Sequence, residues 1–192
     1  MFTGIITGLG QVVSARPTGQ PGAADHGYTL AIQAPPGYLD DVGLGDSIAL
    51  NGACMTVTSL DLSARRFTID ISAESIGKTA GLATPGTRLN LEKALRAHDR
   101  LGGHLVSGHV DGIGRVTRLA PVGESFELRV MAPAVSLTVN QVTDSPEGSE
   151  FSINLIPHTM ENTSLGTLAE GHEVNLEVDL IARYVARMLG KD

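Results

Sequence analysis

Seven side chains in this sequence are of types that carry chemistry: Cys54, His104, Ser107, His109, Ser136, His158 and Asp179. Imidazoles exchange protons near neutral pH, and a thiol or hydroxyl becomes a nucleophile beside a base. The spacing fits no metal site, because His104 and His109 stand five apart with no Cys/His cluster beside them. The chain has no Gly-x-Ser-x-Gly, no P-loop and no dinucleotide fingerprint after a strand. By type alone, Cys54 sits in an apolar strand and reads as a buried structural thiol. His104 follows two glycines and reads as a hydrogen-bonded structural histidine.

What must position these residues is a glycine-rich strand that occurs twice. Met1-Phe-Thr-Gly-Ile-Ile-Thr-Gly-Leu-Gly-Gln-Val12 aligns with Leu105-Val-Ser-Gly-His-Val-Asp-Gly-Ile-Gly-Arg-Val116. Gly4, Gly8 and Gly10 fall on Gly108, Gly112 and Gly114, which implies matched backbone demands. Further matches follow in order: Tyr28–Pro35 with Phe126–Pro133, Ala53–Val57 with Val135–Val139, Phe67–Ile71 with Phe151–Leu155, and Asn90–Glu92 with Asn175–Glu177. The chain is therefore read as two homologous domains.

Period-two alternation marks short strands at Tyr28–Ala34, Ser47–Leu50, Met55–Thr58, Phe67–Ile71 and Thr87–Leu91. Asn51-Gly52 is a hairpin turn. Residues 1–16 read as a strand bent or bulged at Gly8 and Gly10. Residues 17–27 form a loop, Tyr38–Val42 a helical turn, and Leu91–Arg100 a short linking helix. Asp179 caps a terminal helix whose apolar residues are Leu180, Ile181, Tyr184, Val185, Met188 and Leu189, with Gly190 as the stop. The expected fold is all-β: two homologous six-stranded Greek-key barrels plus a C-terminal α-helix. The domains run 1–98, 99–177 and, for the helix, 178–192.

One asymmetry stands out. Seventeen residues separate Pro35 from Ala53, but only Ala134 separates Pro133 from Val135. The second half thus lacks the counterpart of strand Ser47–Leu50. The expectation is that a segment is missing from the numbering after Ala134, which the Cα spacing across Ala134–Val135 would tell.

A formal charge of −7 and only three lysines exclude a nucleic-acid backbone binder. The single cysteine cannot form an internal disulfide, which fits a reducing cytoplasm. No apolar run reaches membrane-span length, and no basic leader precedes an apolar stretch. Met1-Phe2 reads as the true start.

Met1-Phe-Thr-Gly-Ile5, Asn51–Val57, Gly102–Asp111, Leu155–Thr163 and Asn175–Asp179 together resemble the riboflavin synthase family, α-subunit type. The resemblance implies two barrels, a homotrimer built through the terminal helices, and lumazine synthase as a companion. It implies that two molecules of 6,7-dimethyl-8-ribityllumazine exchange a four-carbon unit, giving riboflavin and 5-amino-6-ribitylamino-uracil. It implies no cofactor and no metal. It places Gly4, Ile5, Ile6, Cys54, Met55, Thr56, Asp70, Ile71, Ser72, Ala73, Glu74 and Ser75 in a first lumazine pocket. Gly108, His109, Val110, Ser136, Leu137, Thr138, Asn154, Leu155, Ile156, Pro157, His158 and Thr159 fall in a second. His109 is the preferred acid/base, with Ser136 and Cys54 near the reacting carbons. Phe2 supplies apolar contact, and Asp179 either reaches a ribityl chain or caps the helix. Gly77 and Lys78 depart from an arginine-rich stretch usual in the family. The competing reading is a non-catalytic lumazine or flavin carrier on the same fold.

Overall fold

The computed structural model describes residues 1–18, 26–132 and 140–190. The first half closes on itself. Strands β1 (Gly8–Pro17), β2 (Tyr28–Gln33), β3 (Ser47–Leu50), β4 (Ala53–Asp61), β5 (Arg66–Ile71) and β6 (Arg88–Lys93) form an antiparallel barrel in the order β1-β2-β5-β4-β3-β6. Alternation drives the closure. Leu30, Ile32, Ile48, Leu50, Val57, Phe67, Ile69, Leu89 and Leu91 all turn inward and are buried. Each such side chain contributes roughly 1.5–3 kcal/mol. Asn51 (φ 47°) and Gly52 (φ 84°) make the turn from β3 to β4, with the two positive φ values that a type I′ hairpin requires.

The second half repeats this pattern with five strands among the described residues. Strands β7 (Gly112–Val122), β8 (Ser125–Ala132), β9 (Gln141–Ser145), β10 (Gly148–Leu155) and β11 (Glu173–Leu176) lie in the order β11-β7-β8-β10-β9. Each takes the place of its first-half partner. Even the irregularities coincide: β1 bulges between Val12 and Ser14, and β7 between Val116 and Arg118. Val12 N–H donates to Thr87 O (3.0 Å) and Gly86 N–H to Val12 O (2.8 Å). Val116 N–H donates likewise to His172 O (2.8 Å), and Gly171 N–H to Val116 O (2.8 Å). Val116, Leu128, Val130, Phe151, Leu155 and Leu176 form a separate, smaller core. In the first barrel β3 pairs with both β4 and β6. Among the described residues no strand occupies that position in the second sheet, which stays open between β9 and β11.

Three expectations need correcting. The full sequence runs through at 192 residues, so the segment sought after Ala134 is not part of this chain. The Ala134–Val135 spacing itself lies outside the described residues. Leu91–Arg100 is not a helix: β6 continues to Lys93, Leu95 N–H donates to Met1 O (2.9 Å), and Arg96 and Asp99 close a turn. Leu91, Ala94 and Leu95 suit either element at this length, and the barrel needs β6 to close. The bulge in β1 falls after the glycines rather than at them.

The halves meet around a local twofold axis. Phe2 and Val106 are equivalent in the repeat and pair with each other, Phe2 N–H to Val106 O at 2.8 Å and Val106 N–H to Phe2 O at 3.1 Å. Equivalent asparagines then exchange contacts. Ser164 N–H donates to Asn90 Oδ1 (2.6 Å), and Ala80 N–H to Asn175 Oδ1 (2.7 Å). Helix α1 (Ala73–Gly77) follows β5, and α2 (Pro157–Asn162) follows β10. Helix α3 (Leu180–Met188) ends the described chain. Asp179 caps it by accepting from Ile181 N–H (2.9 Å) and Ala182 N–H (3.0 Å), as its sequence pattern predicts.

Candidate functional site

Each glycine strand is folded back by one carboxylate. Glu92, at the end of β6, accepts from Thr3 N–H (2.6 Å), Thr3 Oγ1–H (2.7 Å) and Gly4 N–H (3.1 Å). Glu177, just past β11, accepts from Ser107 N–H (2.7 Å), Ser107 Oγ–H (2.7 Å) and Gly108 N–H (3.0 Å). Each hydroxyl also accepts from the residue two positions on, Ile5 N–H at 3.1 Å and His109 N–H at 3.3 Å. Glu92 is buried, and three donors compensate its charge there. Gly4 (φ 78°) and Gly108 (φ 80°) occupy the left-handed region that the fold-back demands.

This turn brings Gly108 against the first barrel. Cys54 N–H donates to Gly108 O at 2.8 Å. Along β4, Ala53, Met55 and Val57 face the interior, so Cys54 and Thr56 point outward. The result is a cleft of about 240 Å³ on the outside of the barrel. It is lined by Cys54 and Met55 of β4, by Glu74, Ser75, Lys78 and Thr79 at α1, and by Gly108, His109 and Val110. Ser72 caps α1 by accepting from Ser75 N–H (3.1 Å). Lys78 holds Glu74 at 2.8 Å. That hydrogen bond keeps the Glu74 carboxyl below its usual range and pushes the Lys78 ammonium up. The cleft thus combines a thiol, an imidazole, a hydroxyl and a cation with an apolar floor.

The sequence reading had paired Gly4, Ile5 and Ile6 with Cys54. The structure exchanges the two strands: Gly108, His109 and Val110 meet Cys54, while Gly4 lies against His104 and Val106. The reason is the twofold axis, which carries each glycine strand across to the other half. Phe2 is wholly buried beneath Gly108, so it supports the cleft from within rather than touching its contents. Ile71 and Leu155 likewise turn into the two cores. Asp70 is exposed and accepts from Thr29 Oγ1–H (2.6 Å). On the second-half side, Asn154, Ile156, Pro157 and His158 are exposed at the start of α2, with Thr159 half-buried. Ser136, Leu137 and Thr138 lie outside the described residues. Asp179, besides capping α3, lines a cavity of about 520 Å³ with His104, Glu177 and the inward face of the second sheet.

Sequence reasoning missed both glutamates as anchors of the glycine strands. Their signal was the repeated Asn-Leu-Glu at Asn90–Glu92 and Asn175–Glu177. It also discounted Lys78, which the structure puts at the cleft. Among the described residues, no three His, Cys, Asp or Glu side chains gather to hold a metal ion. No helix there is long and apolar enough to cross a membrane.

The family model described as lumazine binding domain matches residues 3–94 and 107–179, one match per half. The chain is 40% identical to a riboflavin synthase from Mycobacterium tuberculosis, covering 98% of each chain. It is 36% identical to one from Bacillus subtilis, covering 100% of this chain and 91% of that one. A third, from Photobacterium phosphoreum, is 35% identical over 98% and 89%. The alignment with the mycobacterial protein runs over 205 positions against 192 residues here, so over a dozen positions of that relative have no counterpart. Among solved structures, LumP complexed with 6,7-dimethyl-8-(1'-D-ribityl) lumazine has a similar fold, with a TM-score of 0.77 at 22% identity over 93% of this chain and 99% of that one.

Proposed function

We propose, from the premise that the chain belongs to the riboflavin synthase family, that it converts two molecules of 6,7-dimethyl-8-ribityllumazine into riboflavin and 5-amino-6-ribitylamino-uracil. The observation that carries this reading is the twofold pairing of equivalent strands. One substrate is used twice, and the chain offers one half-built pocket twice. The first pocket takes Cys54, Met55 and Thr56, the Asp70–Ser75 stretch, and Gly108, His109 and Val110 from across the axis. The second takes Gly4, Ile5 and Ile6 with the Asn154–Thr159 stretch, and the family resemblance adds Ser136, Leu137 and Thr138.

Most of the rate comes from holding two like rings face to face. The chemistry needs a proton removed from the 7-methyl group of one ring and addition at C7 of the other. His109 serves as the acid/base, with Cys54 and Ser136 beside the reacting carbons. Backbone groups of the glycine strands bind the pyrimidine edges, and hydroxyls such as Ser75 bind the ribityl chain. Asp179 is held by its capping contacts, which favours that role over ribityl binding.

By family resemblance, the productive site pairs the first half of one copy with the second half of a neighbour. Helix α3 supports a homotrimer. Its Ile181, Tyr184, Val185 and Met188, with Leu189 at the C-cap, are exposed, and the charged residues of the helix are Arg183 and Arg187; an exposed apolar run of this kind calls for burial. The three-part division into two lumazine-binding units and an assembly helix, a cytoplasmic setting, and any association with lumazine synthase belong to the same reading.

Incubation of the purified protein with 6,7-dimethyl-8-ribityllumazine and no additive tests the proposal. Riboflavin and the pyrimidine should accumulate in equal amounts, one of each for two lumazines lost. Bound lumazine left unchanged would make the protein a carrier instead.

A further inference from the structure

We propose that Glu177 and Glu92 are crossed positioning residues: Glu177, in the second half, sets the wall of the Cys54 cleft in the first, and Glu92 sets only the opposite pocket. The inference rests on the lumazine reading of the cleft. Neither carboxylate lines that cleft. Glu177 acts through a chain of hydrogen bonds. Its Oε1 accepts from the Ser107 backbone and hydroxyl, its Oε2 from Gly108 N–H, and the Ser107 hydroxyl in turn accepts from His109 N–H. Ser107 and the first two wall residues after it, Gly108 and His109, are thereby fixed by one side chain. Gly108 O, so placed, accepts the Cys54 N–H across the axis (2.8 Å). Glu92 makes the same set of bonds to Thr3, Gly4 and Ile5. That segment lies against His104, whose N–H donates to Thr3 O (3.1 Å), rather than against Cys54.

A glutamine has the same shape but only one acceptor oxygen. In Glu177→Gln the amide NH₂ would face a backbone N–H, donor against donor, and one wall residue would lose its anchor. The protein supplies its own reporter, because Cys54 is the single cysteine of the chain. Its alkylation by iodoacetamide therefore reads this cleft alone.

The experiment measures how much 6,7-dimethyl-8-ribityllumazine halves the rate of Cys54 alkylation in the full chain. Glu177→Gln should raise that concentration about tenfold, the effect of losing one hydrogen bond to a charged group. Glu92→Gln should leave it within about twofold of the parent, by the same geometry on the other side. Ser107→Ala, which removes only the hydroxyl link, should raise it severalfold and serves if Glu177→Gln does not fold. Equal shifts in Glu177→Gln and Glu92→Gln, or no shift in Glu177→Gln and Ser107→Ala, overturn the crossed arrangement. Lumazine that fails to slow alkylation of the parent protein overturns the pocket reading itself, and the inference with it.

Discussion

Gly108→Ala destabilises the chain by about 2–5 kcal/mol and removes riboflavin formation, whereas its repeat partner Gly4→Ala is much milder. Both glycines have positive φ, 80° and 78°, so both substitutions carry the left-handed penalty of about 1–2 kcal/mol for an L-residue. They differ in what a methyl group would meet. At Gly108 it would stand 2.7 Å from Cys54 Cβ, 2.9 Å from Phe2 Cε2 and 3.1 Å from Cys54 N. Phe2 is wholly buried and Cys54 is fixed in a barrel strand, so neither can retreat. The Gly108 strand would have to lift, breaking the 2.8 Å hydrogen bond to Cys54 and opening the cleft. At Gly4 the nearest atom is His104 Cε1 at 3.1 Å, the end of an exposed side chain that can rotate away. Denaturant melts of both variants, with turnover measured beside them, check the contrast. Equal stability and activity in the two would contradict the close approach.

His109→Ala lowers turnover by about 10²–10⁴-fold, the usual worth of a positioned acid or base, while lumazine affinity changes less than about tenfold. The ring is exposed at the cleft rim, and its backbone is anchored through Ser107 rather than through the imidazole. Truncating it therefore leaves the wall in place and removes only the proton carrier. The measurement pairs single-turnover rates with equilibrium binding of the same lumazine. Turnover within about threefold of the parent would remove His109 from the chemistry.

The duplication, the all-β character and the capped terminal helix were legible because each has a local signal: matched glycines, period-two alternation, and Asp179 ahead of an amphipathic run. The shorter connection in the second half was also legible, as a length difference between equivalent prolines and their following strands, but it reads in sequence as a gap in the numbering. What could not be read was the crossing of the glycine strands. It depends on Phe2 meeting Val106, a contact between distant segments that no local pattern encodes. For the same reason Phe2, which the family resemblance gives as an apolar contact to substrate, turns out to be core. Glu92 and Glu177 look like ordinary strand-end acids until the fold brings three donors to each. The linking helix failed because a few apolar residues fit either period, and the need to complete a barrel decided for the strand.

That two like pockets exist in one chain, despite the shorter sequence of the second half, is the claim on which the enzyme reading depends. The direct measurement is the number of lumazines bound per chain at equilibrium, using an analogue without the 7-methyl group so that no reaction can begin. Two per chain is the predicted result. Saturation at one per chain, with the Cys54 cleft filled, would contradict it.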